Sequence, residues 1–162
     1  MIRIEVIKFN SKNKFEWKQL EKEMLNFVGE EVVINLNQKN VIFDKKTVDE
    51  MSYSNYNYKL HGKMKLIKAN VCMYYKELLK EATNERHQED FGKKHRNLAL
   101  KGFDRYDTLF EYPNRNVNGS VINYSKYKAT IIVRCASDNK YYLYDIIDIK
   151  KEISDPHRMP MA

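Results

Sequence analysis

The side chains best able to do chemistry gather in a few short stretches. Arg86 follows Thr83 and Asn84, and Lys94 and His95 stand in a basic run with Lys93 and Arg96. Arg105, Tyr106, Asp107 and Thr108 are consecutive, Arg134 follows the apolar Ile131-Ile132-Val133, and Tyr142, Tyr144 and Asp145 come last. Together these groups offer what metal-free cleavage of RNA requires. A 2′-hydroxyl has to lose a proton, the departing 5′-oxygen has to gain one, and charge on the phosphoryl oxygens has to be balanced. A histidine or tyrosine positioned for proton transfer contributes about 10²–10⁴ in rate. Arginine holds phosphate through paired, permanently charged hydrogen bonds, and preorganised charge of that kind is usually the largest contribution. On this reading His95, Arg105, Tyr106, Thr108 and Arg134 form the catalytic set. Arg86, Lys94, Asp107, Tyr142 and Tyr144 bind the substrate, the tyrosines by stacking on bases.

Each residue also has a plainer reading. Arg105 and Asp107 make an ion pair on a solvated strand, His95 belongs to an exposed basic run, Tyr106 is core, and Tyr142 and Tyr144 pack a sheet. Thr83-Asn84 caps a helix end, with Arg86 on the surface. His87 and His95 lie close together, but the sequence brings no cysteine or third histidine beside them, so no metal site and no cofactor are expected. Cys72 and Cys135 match no ligand or redox spacing and read as free, buried thiols, with a disulfide as the alternative.

A chain of 162 residues suffices for one hydrophobic core. Its 29 Lys+Arg against 22 Asp+Glu give a formal charge of +7, a field that attracts polyanions or an acidic partner protein. No stretch reaches the roughly 18 apolar residues of a membrane span, and the first residues are too charged for a secretory signal.

The elements that would position these groups follow from periodicity. Alternation predicts a strand in residues 2–6, and helical spacing predicts a helix over 15–28 ending at Gly29. Residues 32–34 and 41–43 flank a polar turn and predict a hairpin. A short helix and loop follow over 47–58, then a longer helix over 59–82. The charged stretch 83–101 reads as a loop or exposed helix. Strands are expected at 103–112, 120–124, 127–135 and 141–149, with Asn118-Gly119 a hairpin turn. Helices followed by a meander give an α+β fold, with helices packed on a roughly four-stranded antiparallel sheet. On its strands Arg105 shares a face with Asp107, opposite Tyr106 and Thr108.

The runs Ala82-Thr83-Asn84-Glu85-Arg86, Lys94-His95, Arg105-Tyr106-Asp107-Thr108, Ile132-Val133-Arg134 and Tyr142-Leu143-Tyr144-Asp145-Ile146 resemble those of the barnase–EndoU–colicin–RelE-like nuclease domains. These domains occur in polyvalent, phage-head-associated (MuF-type) proteins of phages and mobile elements. The resemblance covers roughly residues 50–155. It implies a ribonuclease toxin acting on RNA, tRNA among the candidates, in the cytoplasm of a target cell. It also implies delivery from a producing cell or a phage, and a cognate immunity protein as partner. His61, in Leu60-His61-Gly62-Lys63, departs from the expected pattern. Residues 1–45 stand as an N-terminal extension, 46–155 as the nuclease domain and 156–162 as a loose tail, forming one compact unit. The alternative is a noncatalytic module that binds nucleic acid or a phage partner.

Overall fold

A computed structural model describes residues 1–11, 13–89 and 101–153 of the chain. In chain order the elements are β1 (Ile2–Arg3), α1 (Trp17–Met24), β2 (Glu31–Val33), β3 (Asn40–Ile42), α2 (Lys45–Tyr53), α3 (Asn55–Tyr58), α4 (Lys63–Met73), α5 (Tyr75–Lys80), β4 (Thr83–Gln88), β5 (Phe103–Arg115), β6 (Val121–Cys135) and β7 (Tyr141–Lys151). A single 3-10 turn, Leu25–Phe27, extends α1.

The expected mixture of helices and sheet is present, but the sheet is larger than four strands and is not purely antiparallel. Seven strands run in the order β1-β5-β6-β7-β3-β2, with β4 also on β5. The meander β5-β6-β7 is antiparallel, whereas β1 pairs with β5 and β3 with β7 in parallel. The predicted hairpin β2-β3 forms as expected and extends the sheet beyond β7. The stretch expected to be loop or exposed helix is instead β4. Every β4 residue is exposed, so it carries no apolar alternation to read. It is a strand because β5 supplies its hydrogen bonds.

One face of the sheet packs on the helices. Tyr106 and Phe110 of β5, Ile131 and Val133 of β6, and Leu143 and Ile146 of β7 are buried against Leu20, Met24, Val48, Met51, Ile67, Val71, Leu78 and Leu79. Each large side chain buried this way stabilises the fold by about 1.5–3 kcal/mol. The predicted long helix breaks in two at Tyr74. In its first half, α4, every residue from Leu66 to Cys72 is buried. Asp44 starts α2 by accepting the backbone N–H of Thr47 at 2.9 Å, an ordinary N-cap.

Register settles which residues share the other face. Arg134 pairs with Phe103 on one side and Tyr142 on the other, and Ile132 pairs with Arg105. The open face therefore carries Phe103, Arg105, Asp107, Thr130, Ile132, Arg134 and Tyr142. The helix side carries Asp104, Tyr106, Thr108, Val133 and Cys135. Two bulges lengthen β7, one between the pairs Val133–Leu143 and Ile132–Asp145, the other near Asp148, whose φ is +52°. The first brings Asp145 within reach of Lys68 on α4.

A candidate acid-base pocket beside the sheet

The polar groups that converge lie on the helix side of the sheet, at the end where the helices leave it uncovered. Asp104 is the centre. Its side chain is 2% exposed, yet it is hydrogen-bonded to both Lys39 and His87. Lys39 Nζ, from the turn between β2 and β3, reaches its Oδ2 at 2.8 Å, and His87 Nδ1, from β4, reaches its Oδ1 at 2.8 Å. Burial pushes the Asp104 carboxyl up, but the bonds from Lys39 and His87 outweigh it and hold the group below its usual range. His87 is raised above the ordinary histidine value by Asp104 first, against partial burial, with help from Glu89, whose Oε1 is 3.3 Å from Nε2.

A second carboxylate backs the first. Glu85 Oε2 accepts from Lys39 Nζ at 2.7 Å, Asn37 Nδ2 at 2.8 Å and the Tyr106 hydroxyl at 3.1 Å. Lys39 and Tyr106 together hold Glu85 low against its burial. The Tyr106 ring is fully buried, so desolvation drives its phenol up, and its oxygen also accepts from Asn37 Nδ2 at 2.9 Å. Lys39 loses some basicity to burial and regains more from Asp104 and Glu85, so it stays charged. Its ammonium also lies 4.9 Å from the centre of the Tyr141 ring.

Around these groups opens a pocket of about 490 Å³, lined by Lys39, His87, Glu89, Lys101, Asp104, Cys135, Asn139, Lys140 and Tyr141. Its rim is set by two turns. Gly102, at φ +85°, starts β5 so close to β4 that a Cβ there would lie 2.3 Å from the Gln88 carbonyl oxygen. Only glycine fits, because this approach leaves no room for a side chain. Between β6 and β7, Asn139 is left-handed at φ +65°, and Asp138 Oδ1 accepts the Lys140 N–H at 3.0 Å. Lys101 from the first turn donates to the Asn139 side chain of the second, and the two rims meet.

The residues expected to be catalytic divide between the two faces. Arg105 and Arg134 do share the open face, but Tyr106 and Thr108 lie on the helix side, so those four do not surround one phosphate. Arg134 is 5% exposed, its Nη2 lies 2.5 Å from Asp44 Oδ2, and its guanidinium stacks 4.1 Å from the centre of the Tyr142 ring. It ties the start of α2 to the sheet. Arg105 Nε donates to Gln88 Oε1 at 3.2 Å. Asp107 pairs with Arg86 at 3.0 Å, rather than with Arg105, and accepts from Asn84 at 2.7 Å. Tyr142 donates to Asp138 at 2.8 Å, and the Tyr144 ring packs edge-on against Phe103 at 5.0 Å. Lys94 and His95 lie outside the described residues. Cys72 and Cys135 are free and buried, as expected.

Asn37, Lys39, Glu85, His87, Asp104 and Cys135 were not among the expected site residues. A strand reading of 83–88 would have placed Glu85 and His87 on one face. Nothing in the sequence alone brings Lys39 to them. No helix among the described residues is long and apolar enough to cross a membrane. The chain matches no protein-family model, no curated protein and no solved structure.

Proposed function

We propose that the protein is a metal-independent ribonuclease, of the class that the sequence resemblance implies, with its chemistry centred on His87. One observation carries this reading: an exposed imidazole is held at 2.8 Å on a buried carboxylate, at the mouth of a lysine-rimmed pocket. Held by Asp104, His87 presents Nε2 as the acid that protonates the departing 5′-oxygen. Glu89, 3.3 Å from that nitrogen, takes the proton of the 2′-hydroxyl. The 2′-oxygen then bonds to phosphorus as the bond to the 5′-oxygen breaks, leaving a 2′,3′-cyclic phosphate and a 5′-hydroxyl. Lys101 and Lys140 offer positive charge to the phosphoryl oxygens, while Lys39 chiefly fixes the two carboxylates beneath. An acidic inhibitor protein seated on the lysine rim is the partner this reading implies.

The test is incubation of the purified chain with total RNA and with tRNA in the presence of a chelator. Cleavage to cyclic-phosphate ends is expected, with 2′-deoxy substrates inert. His87→Ala is expected to lower the rate by about 10²–10⁴. Intact RNA after long incubation with folded wild-type protein, or full activity in His87→Ala, defeats the reading.

The noncatalytic alternative rests on a separate groove of the open face, where Lys128 and Lys150 stand among Thr83, Asp107, Leu109, Asp148 and Glu152. It predicts RNA affinity that falls with salt by about 0.7 log units per decade for each phosphate held on a single strand. That affinity would be indifferent to His87.

A further inference from the structure

Asp104 is paired in register with His87 on β4 and with Val133 on β6, and Cys135 follows Val133 by two residues on the same face. A ring nitrogen, a carboxylate oxygen and a thiol sulfur from three adjacent strands thus come within 4.8 Å of one another. The pocket opens on one side of this cluster and leaves room for a further ligand. The geometry points to a binding site for one divalent cation of borderline softness, zinc foremost, held by His87, Asp104 and Cys135 with its fourth position facing the pocket.

The donor set selects the ion. Sulfur and imidazole nitrogen favour zinc over magnesium or calcium, which take oxygen ligands. Zinc binds such donors tetrahedrally at about 2.0–2.3 Å, which sets neighbouring donors roughly 3.3–3.7 Å apart. His87 Nδ1 and Asp104 Oδ1, now 2.8 Å apart, need to open slightly to admit the ion and the Cys135 sulfur to close on it, within reach of side-chain rotation at His87 and Cys135. Lys39 stays on Asp104 Oδ2 at 2.8 Å and orients the carboxylate, as outer-sphere partners of metal ligands do. The ion takes the place of the His87 proton that faces Asp104. It also displaces the Cys135 proton, which burial otherwise retains by pushing the thiol up to about 12. The site does not rest on the ribonuclease reading. An ion on His87 Nδ1 replaces the Asp104 hydrogen bond that holds the imidazole for proton transfer at Nε2, so the two states exclude each other.

The experiment titrates the metal-free 162-residue chain with Co²⁺ in the absence of RNA. One equivalent is expected to produce a thiolate-to-cobalt charge-transfer band and the intense visible bands of tetrahedral cobalt. Stoichiometric Zn²⁺ should erase them, and excess Mg²⁺ should leave them unchanged. Cys135→Ser should remove the charge-transfer band, and Cys72→Ser, at the other cysteine, should keep it. His87→Ala and Asp104→Asn should weaken binding at least about tenfold. Because the His87 side chain is 44% exposed, His87→Ala gives an answer even where Cys135→Ser fails to fold. Absence of a thiolate band at equimolar cobalt overturns the site. So does a band that survives Cys135→Ser, or undiminished binding in His87→Ala. RNA cleavage is assayed with chelator and metal binding without RNA, so either conclusion can fail alone.

Discussion

Two lysines of this protein reach across to aspartates of the sheet, and their surroundings give them different uses. Lys68 Nζ lies 2.6 Å from Asp145 Oδ1, with the two side chains 0% and 3% exposed. It also donates to the Ile146 carbonyl at 2.6 Å, and the Tyr56 ring lies 5.1 Å away. Asp145 meanwhile accepts the Ile146 N–H at 2.8 Å. That pair is sealed. Lys39 and Asp104 are 2.8 Å apart, and the aspartate is equally buried, but the lysine is 27% exposed and His87 carries the second carboxylate oxygen out to a pocket. A buried aspartate becomes chemically useful when one of its partners still touches solvent. The charge pair alone does not distinguish structure from function; access does.

Breaking the sealed pair should have the largest effect. Lys68→Met leaves Asp145 buried without its cation and is expected to cost about 3–5 kcal/mol, read as a fall in the urea midpoint. Replacing both partners, as in Lys68→Met with Asp145→Leu, should recover most of that loss, because two apolar groups need no mutual compensation. If the single variant were as stable as wild type, Lys68 and Asp145 would not be the structural half of this comparison.

The two pairs differ just as much in what the sequence discloses. Lys68 stands in the apolar run of a predicted helix, and its burial follows once Leu66 to Cys72 is surrounded on all sides. The β2-β3 hairpin and the segregation of Arg105 from Tyr106 were legible from alternation and turn residues, and so was the meander, except that the strands expected at 120–124 and 127–135 are one continuous strand, β6. The pocket was not, for three physical reasons. β4 is exposed throughout, so its pairing with β5 leaves no hydrophobic signature. Lys39 comes from a polar turn, and only the parallel pairing of β3 with β7 carries it to β4 and β5. Arg134 meets Asp44, which lies 90 residues earlier. Periodicity reports which face a side chain takes, not which distant loop covers it.

Lys39→Met should separate stability from chemistry. Asp104 keeps His87 as a partner, so the expected cost is only about 1–3 kcal/mol, less than for Lys68→Met. The protein should fold, yet RNA cleavage should fall by about a hundredfold, because Asp104, the carboxylate that orients His87, loses the lysine that fixes it. A circular dichroism melt beside a single-turnover cleavage assay checks both halves. A variant that lost stability as Lys68→Met does, with undiminished cleavage per folded molecule, would make Lys39 a structural residue and erase the contrast.

A third lysine pair, on the surface, sets the lower end of the scale. Lys76 Nζ lies 3.1 Å from Glu30 Oε1, with side chains 41% and 33% exposed, so Lys76→Ala should cost no more than about 1 kcal/mol. Glu30 is held below its ordinary value of 4.5 first by the Tyr75 hydroxyl at 2.5 Å, against slight burial, and then by Lys76. A carboxyl with a lowered folded value stabilises the protein above its unfolded value, and that contribution is lost as pH falls through the folded one. Tyr75→Phe removes the leading cause. Its stability deficit relative to wild type should therefore be full at about pH 6 and shrink steadily toward about pH 3, as Glu30 takes up its proton in both proteins. Urea midpoints across that range measure the gap. A deficit independent of pH would assign the effect of Tyr75 to its packing with Phe27 and Phe43, at 5.5 and 4.7 Å between ring centres, instead of to its hydroxyl.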